Sequence, residues 1–326
     1  MSKEKGLMRG YGISEEFALR FKNSLFYTEI YSKHKDEIII GVRKDYVNLY
    51  YNCDSIAKIT STAKSIKAEI ASYYLNEEGK RKQISPEEMV KKFDVIKSKS
   101  KEKSTPEKKA QQKLFIDNNR NKKSSWFCLD VEYKKAFESI EDRDIGGRFD
   151  IIAISKEKPY RIALVELKYG SGAIGGKSGV RTHIKDFASF NGLDSKGCSY
   201  FEQLIPEIIS ILNKLVLLGV NIPESLRDVQ ECDICKTPLF YIITLNDNPE
   251  QNGRTPKMSM SGYLFNDKRW GCRRKSSLLN KEGDYYKMIE GCENINLTFL
   301  FSKAELPDLG ITDILDEAFY DVEIVK

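Results

Sequence analysis

Alternating apolar and polar positions indicate that the first hundred residues are rich in β-strands. Residues 37–42 read Glu-Ile-Ile-Ile-Gly-Val and residues 46–51 read Tyr-Val-Asn-Leu-Tyr-Tyr, with the polar turn Arg43-Lys44-Asp45 between them. β-Branched and aromatic residues on both sides of a short polar turn are typical of a β-hairpin. Residues 55–60 and 66–74 extend the predicted sheet. We therefore predict a β-rich N-terminal subdomain.

From about residue 76 the chain becomes polar and charged. Lys, Glu and Ser dominate residues 76–106, apart from a short amphipathic piece at 89–96, and residues 97–109 are dense in lysine. We interpret this stretch as a solvated, charged linker; a basic strip that contacts phosphates is the alternative. The predicted domains are residues 1–100, the β-rich subdomain with its linker, and residues 101–326.

The remaining sequence alternates between strand and helix patterns. Thr105-Pro106-Glu107 is a helix N-terminus signal, and the helix is expected to continue to about residue 119. Another helix is expected to begin at Thr182, which would be its N-cap. Strands are predicted at 125–133, 148–154, 162–168, 238–244 and 294–301, and further helices at 201–215 and 313–319. This order predicts an α/β domain with a mixed β-sheet flanked by helices.

Two of these strands carry charged residues where apolar ones are expected. Asp150 lies in the strand 148–154, and Glu166 and Lys168 lie in the strand 162–168. A buried ionised carboxylate is costly unless a cation pairs with it. Alternation puts Glu166 and Lys168 on one face, and the polar turn at 155–159 predicts a hairpin that brings Asp150 beside Glu166.

These residue types indicate a divalent metal site. Carboxylate oxygens are hard ligands that suit Mg²⁺ or Mn²⁺. We predict that Asp150 and Glu166 bind such an ion, which would activate a water for attack on a phosphodiester. Lys168 would orient that water or stabilise the developing oxyanion.

Asp150 and the triplet Glu166-Leu167-Lys168 together resemble the motif of the PD-(D/E)xK nuclease superfamily, although Phe149 stands where the motif has proline. The resemblance implies a restriction-endonuclease-like αβββαβ core, and the Leu167 carbonyl as a further metal ligand. It also implies an endonuclease or exonuclease, with DNA favoured over RNA as the substrate. A role in restriction or anti-phage defence is expected by analogy alone.

Four more residues are candidates for the same site. Alternation puts Asp130 and Glu132 on one face of the strand 125–133, opposite Leu129, Val131 and Tyr133, and either could add a metal ligand. We favour Glu132; a strand face exposed to water is the alternative. Glu107 and Gln111 lie one helical turn apart, and in the resembled family a polar residue on the first core helix often approaches the metal. A solvated helix face is equally compatible with these two residues.

Three basic residues are candidates for binding substrate phosphate. Lys177 lies in the glycine-rich segment 170–179, where backbone can approach a phosphate chain closely. His183 and Lys185 lie at the predicted helix N-terminus, which favours anions. A mobile glycine loop is the alternative for Lys177, and simple exposure to solvent is the alternative for His183 and Lys185.

Other functional classes stay open. Gly176-Lys177-Ser178 matches the end of a P-loop, but Ser171 stands where its first glycine is required. A non-catalytic binding module with a nuclease-like fold is a further alternative, although the complete acidic and lysine set argues against it. Cys232 and Cys235 have zinc or redox spacing without a second such pair, and Cys272 and Cys292 are the remaining candidate ligands.

Amino-acid composition and net charge disfavour some functional classes but do not identify the function. The chain has 326 residues, 40% of them hydrophobic and 31% charged, which is typical of a globular protein in water. A net charge of +5 permits a nucleic-acid partner. We see no secretory signal or membrane span, and seven cysteines indicate reduced thiols, so we expect a cytoplasmic protein. With only two histidines, a Ser-His-Asp mechanism is disfavoured. Homo-oligomerisation, or a protein partner that supplies specificity, stays open.

Overall fold

Two β-sheets and several helices make up the protein, which is described by a computed structural model as a mixed α/β structure. The structure describes residues 12–62, 65–134, 147–170, 179–245, 295–302 and 310–325. The helices are Glu15–Lys22 (α1), Pro86–Lys103 (α2), Pro106–Arg120 (α3), Val180–Phe190 (α4) and Ile205–Leu217 (α5). The strands of the first sheet are Ile39–Arg43 (β1), Tyr46–Tyr51 (β2), Asp54–Ser61 (β3), Ile66–Ala71 (β4) and Arg81–Ile84 (β5). The strands of the second sheet are Trp126–Lys134 (β6), Arg148–Ser155 (β7), Ile162–Tyr169 (β8), Leu239–Leu245 (β9), Leu297–Ser302 (β10) and Tyr320–Val325 (β11).

The first sheet is an antiparallel meander with its five strands in chain order. The predicted hairpin is confirmed, because β1 pairs with β2 through Val42 with Val47 and Arg43 with Tyr46. The strand predicted at 66–74 ends at Ala71, and a 3-10 turn, Ser72–Leu75, follows it. A π-helical segment, Phe26–Tyr31, and α2 pack together beside this sheet.

The predicted charged linker is wrong, because most of it is helix. Ser85 caps α2 through its side chain, and Pro86 occupies the first turn, where its missing N–H is harmless. The buried residues recur at spacings of three and four, namely Met89, Phe93, Ile96 and Ser100. The many lysines between these positions make the helical period of the apolar residues hard to recognise in the sequence. Only Ser104 and Thr105 separate α2 from α3.

The second sheet has six strands in the order β11-β10-β9-β8-β7-β6. Strands β6, β7 and β8 are antiparallel neighbours, β9 and β10 run parallel to β8, and β11 is antiparallel to β10. Along the chain, α3 precedes β6, and α4 and α5 lie between β8 and β9. The described elements from α3 to β9 therefore follow the order helix, three strands, two helices, strand.

Two sequence-based expectations at helix positions are wrong. Gly179, not Thr182, is the N-cap of α4, which begins at Val180. Residues 313–319 form no closing helix; they contain a 3-10 turn, Glu317–Phe319, followed by β11. Tertiary contacts account for the second difference. The Asp313 carboxylate accepts a hydrogen bond from the Ser125 N–H at 2.8 Å, and β11 pairs along the whole of β10.

The two sheets share one large hydrophobic cluster. Val47 and Ile59 of the first sheet and Phe127 and Leu164 of the second belong to it, and β1 contacts β6 directly. A second cluster lies on the other face of the second sheet, beneath α3. The predicted division at residue 100 therefore falls between α2 and α3 within a packed region; the domain assignment itself stays a prediction.

Candidate active site

The β7–β8 hairpin brings the first two candidate residues together. Ile151 pairs with Val165 and Ile154 with Ile162, so Asp150 lies beside Glu166 in the same register. The Leu167 N–H donates a hydrogen bond to Asp150 Oδ2 at 2.8 Å. The proximity expected from the sequence is therefore present, and it arises from antiparallel pairing across a short turn.

Glu166 is the centre of the cluster. Its Oε1 atom lies 2.7 Å from Lys168 Nζ and 2.9 Å from His183 Nε2. Glu166 and Lys168 are each only 4% exposed, so both charges are held inside the protein. Such a buried pair persists because each charged group has an opposite or hydrogen-bonding neighbour.

The alternation of β8 explains why these groups face α4. Ile162 and Leu164 belong to the cluster that includes α4, and Ala163, Val165 and Leu167 belong to the cluster beneath α3. Glu166 and Lys168 share the parity of Ile162 and Leu164 and therefore point toward α4. His183, in the first turn of α4, meets Glu166 there.

The electrostatic environment shifts the pKa values of the two carboxyl groups, Asp150 and Glu166, in opposite directions. Burial and the Glu166 charge raise the pKa of Asp150 well above its usual value, against the opposing effects of Lys168 and the Leu167 N–H. Burial also tends to raise the pKa of Glu166, but the hydrogen bond from His183 and the charge of Lys168 outweigh it and lower that pKa. Burial tends to lower the pKa of Lys168, but Glu166, Asp150 and Glu107 raise it.

Helix α3 holds the backbone of both strands at the site. Gln111 Nε2 donates a hydrogen bond to the Asp150 carbonyl at 2.6 Å, and Glu107 Oε2 accepts one from the Tyr169 N–H at 3.1 Å. Burial raises the pKa of Glu107, while Lys168 opposes that rise. Both residues predicted on the first core helix thus lie at the cluster, and Gln111 contacts backbone.

The predicted common face of Leu129, Val131 and Tyr133 is wrong, because Leu129 and Tyr133 belong to one hydrophobic cluster and Val131 belongs to the other. A β-bulge shifts the register between Cys128 and Asp130, and Glu132 has a positive φ of 51°. Asp130 is fully buried in an ion pair of 2.7 Å with Arg43 of the first sheet, so it is committed elsewhere. Glu132 lies 3.3 Å from Arg148 and 4.0 Å from Lys108. Its negative charge nevertheless contributes to the raised pKa of Asp150.

The other predicted residues lie outside the cluster or outside the described residues. Lys185 is exposed on α4. Lys177, Cys272 and Cys292 are not among the described residues, and neither is most of the glycine-rich segment. Cys232 and Cys235 are free thiols, the first exposed and the second half-buried.

Sequence reasoning missed two neighbours of this cluster. Asp186 Oδ2 lies 3.8 Å from His183 Nδ1, one turn further along α4. Thr244 pairs in register with Lys168, and its buried hydroxyl has no hydrogen-bond partner in the part of the chain that the structure describes. Val180 lies three residues before His183, and Phe187 lies four residues after it. This helical spacing indicates that His183 borders the inward face of α4.

A divalent cation needs oxygen ligands that are not already used by other groups. Among the described residues, no group of three or more His, Cys, Asp and Glu side chains is assembled to hold a metal. Mg²⁺, however, usually keeps several waters and takes only one or two carboxylates from a protein. In the hydrogen bonds between described residues, Asp150 uses Oδ2 and Glu166 uses Oε1, which leaves one oxygen on each. The chemistry of this pair fits a hydrated Mg²⁺ or Mn²⁺.

Comparison with known proteins gives no further guide, since no family model, curated protein or solved structure matches the chain. Within the described ranges, every helix is too short or too polar to cross a lipid bilayer. Any assignment of activity therefore depends on the geometry of the cluster.

Proposed function

We propose that this protein is a metal-dependent nuclease that hydrolyses phosphodiester bonds, with a site of the PD-(D/E)xK type. The observation that carries the proposal is the convergence of Asp150, Glu166 and Lys168 at the β7–β8 hairpin, where Glu166 and Lys168 are buried and Asp150 is half-buried. A divalent cation held by Asp150 and Glu166 would offset the burial and the like charge that raise the pKa of Asp150. The order of elements from α3 to β9 supports the restriction-endonuclease-like core that the sequence motif implies.

The residues of the site would have different roles in the reaction. Asp150, Glu166 and the Leu167 carbonyl would hold Mg²⁺ or Mn²⁺, which supplies an activated water and offsets charge on the phosphate. Because its pKa is raised, Lys168 stays protonated at neutral pH. It is therefore suited to orient that water and to stabilise the oxyanion, and unsuited to accept a proton.

Neighbouring residues would position this group. Gln111 fixes the Asp150 backbone, and His183 holds the Glu166 carboxylate from the α4 side. Glu107 adds a third carboxyl group close to Lys168. Substitution of these residues is expected to weaken metal binding or rate less than substitution of Asp150 or Glu166.

Substrate and biological role rest on resemblance. DNA is the favoured substrate, and a role in restriction or anti-phage defence in the cytoplasm is proposed by analogy. Sequence specificity would come from loops, from the first sheet or from a protein partner.

The test combines cleavage with metal binding. Wild type is incubated with DNA and RNA panels and Mg²⁺ or Mn²⁺, with a chelator control, and cation binding is measured by calorimetry. We expect Asp150→Asn and Glu166→Gln to lose both cleavage and cation binding. Lys168→Met is expected to keep cation binding and to lose about 10²–10³-fold in rate, as for other transition-state stabilisers.

Glu157→Gln is the matched control, because Glu157 is an exposed carboxylate in the turn of the same hairpin. It should cleave and bind cations like wild type. Cleavage by all three site variants would disprove this site. Nucleic-acid binding without cleavage under any cation would favour a non-catalytic binding module.

A further inference from the structure

An exposed tyrosine lies between lysines where α2 ends. Tyr73, in the 3-10 turn after β4, is 44% exposed, whereas its neighbour Tyr74 is buried. Lys99 Nζ and Lys103 Nζ, one helical turn apart on α2, lie 5.9 and 5.6 Å from the centroid of the Tyr73 ring. These separations are at the outer end of the cation–π range, and Tyr73 keeps 44% of its surface exposed beside the two cations. We call Tyr73, Lys99 and Lys103 the Tyr73 surface.

Half of the lysines around this surface form no ion pair with a described residue. Residues 97–109 contain six lysines and two glutamates. Lys99 pairs with Glu102 at 2.9 Å, which is a weak bond at an exposed position. Lys101, Lys103 and Lys109 are exposed and form no ion pair with any residue that the structure describes. A solvated helix face explains the lysines, but it does not explain an exposed aromatic ring among them.

A series of side-chain contacts leads from the Tyr73 surface toward the candidate active site. Lys103 Nζ lies 5.0 Å from the Tyr74 ring centroid, and Tyr74 interacts with Asp54. Asp54 in turn pairs with Lys108 at 2.9 Å, and Lys108 Nζ lies 4.0 Å from Glu132, whose charge acts on Asp150. A series of contacts through the α2–α3 junction therefore leads from the Tyr73 surface as far as Glu132, which lies on β6 beside the strand of Asp150.

We propose that the Tyr73 surface binds single-stranded nucleic acid, with an unpaired base stacked on Tyr73 and adjacent phosphates neutralised by Lys99 and Lys103. Exposed aromatic rings beside basic side chains are the usual means of holding single strands without sequence preference. Bases in a duplex are already stacked on each other, so the Tyr73 ring offers them little. The inference rests on the proposed nuclease function, because it makes this surface the route by which a strand reaches Asp150 and Glu166.

Binding is measured by fluorescence anisotropy on the full-length protein, with a labelled oligothymidylate and a duplex of equal length, in chelator so that no cleavage occurs. Tyr73→Ala is expected to weaken single-strand binding by about 5- to 100-fold, as one lost base–aromatic stack does. Tyr73→Phe should bind like wild type because it keeps the ring. Lys99→Gln/Lys103→Gln should reduce the slope of log affinity against log salt by about 1.4.

The matched control is Tyr46→Ala. Lys58 Nζ lies 4.5 Å from the Tyr46 ring centroid, so this pair has the same chemistry on β2 and β3 without the surplus lysines. It should leave single-strand binding unchanged. Thermal unfolding of each variant checks that the fold is intact.

Three outcomes would overturn the proposal: unchanged single-strand binding by Tyr73→Ala, equal losses for single strand and duplex, or an equal loss by Tyr73→Phe. Failure of the proposed function is a separate result. If wild type never cleaves but Tyr73→Ala still loses single-strand binding, the surface assignment stands; if wild type cleaves and Tyr73→Ala binds normally, only the surface assignment fails.

Discussion

At the scale of single residues, similar carboxylates in neighbouring strands have different tasks because their partners differ. Arg43 donates hydrogen bonds to Asp130 Oδ2 at 2.7 Å and to the Val131 carbonyl at 3.0 Å. A second bond of Asp130, to the Val131 N–H at 2.9 Å, completes its environment. Asp130 is thus a structural residue, whereas Asp150 and Glu166 each keep one oxygen that accepts no hydrogen bond from a described residue.

Removing Arg43 should expose the cost of burying Asp130. Arg43→Met is expected to lower the free energy of unfolding by about 3–5 kcal/mol, because it leaves a buried carboxylate unpaired. The double variant Arg43→Met/Asp130→Leu should recover most of that loss, since both charges are gone. Urea unfolding monitored by circular dichroism measures both. A double variant no more stable than the single one would mean that the pair has little to do with the loss.

At the scale of elements, α2 shows how a helix with many charges is anchored. Its inner face buries Met89, Phe93 and Ile96, and Ser100 donates a hydrogen bond to the Tyr51 carbonyl at 3.0 Å. Near the middle of the helix, Lys97 Nζ lies 2.6 Å from Glu37 Oε2, in the segment just before β1. Apolar burial therefore places the helix, and ion pairs tie its edge to the first sheet.

The contact between Glu37 and Lys97 makes the stability of the protein depend on pH. Burial tends to raise the pKa of Glu37, but hydrogen bonds and charge from Lys97 and His34 outweigh it and lower that pKa. The resulting stabilisation is present above the usual glutamate pKa of about 4.3 and disappears as the pH falls through the lowered value. Wild type should therefore have a higher Tm than Glu37→Gln at neutral pH, with the difference vanishing in acid.

Thermal scans of both proteins across this pH range measure the effect. Glu78→Gln serves as the control, because Glu78 is exposed in the turn before β5 and forms no ion pair within the described chain. It should match wild type at each pH. A Tm difference for Glu37→Gln that stays constant down to strongly acidic pH would assign the effect to something other than charge.

At the scale of the whole molecule, the two sheets are packed as one structure. The shared hydrophobic cluster includes residues from both, and Arg43 with Asp130 forms a buried ion pair between β1 and β6. Gln112 of α3 also donates a hydrogen bond to the Glu37 carbonyl at 2.6 Å, so α3 holds both parts. Contacts of this kind join the two regions that the sequence composition assigns to separate domains.

We expect the two sheets to unfold together, because neither keeps its apolar surface buried without the other. Hydrogen exchange followed by mass spectrometry in increasing urea should show β2–β4 and β7–β9 losing protection at the same midpoint. A fragment of residues 101–326 should be poorly folded. Loss of protection in the first sheet alone, or a stable fragment, would support two independent domains.

The local features of this fold are encoded in short stretches of the chain. The β1–β2 and β7–β8 hairpins, helix α3 with its cap, and the meeting of Asp150 with Glu166 all follow from short-range alternation and turn chemistry. These features could be predicted because the residues that decide them are close in the chain.

The other contacts of the fold and of the candidate site form only when distant parts of the chain meet. The Arg43–Asp130 pair joins residues 87 positions apart, and the bulge at Cys128 and Asp130 and the positive φ of Glu132 break the simple alternation expected along β6. The contact of His183 with Glu166 and the pairing of β11 with β10 likewise depend on elements that meet only after folding. Burial and long-range pairing outweigh local propensity at such positions, so one-dimensional patterns do not reveal them.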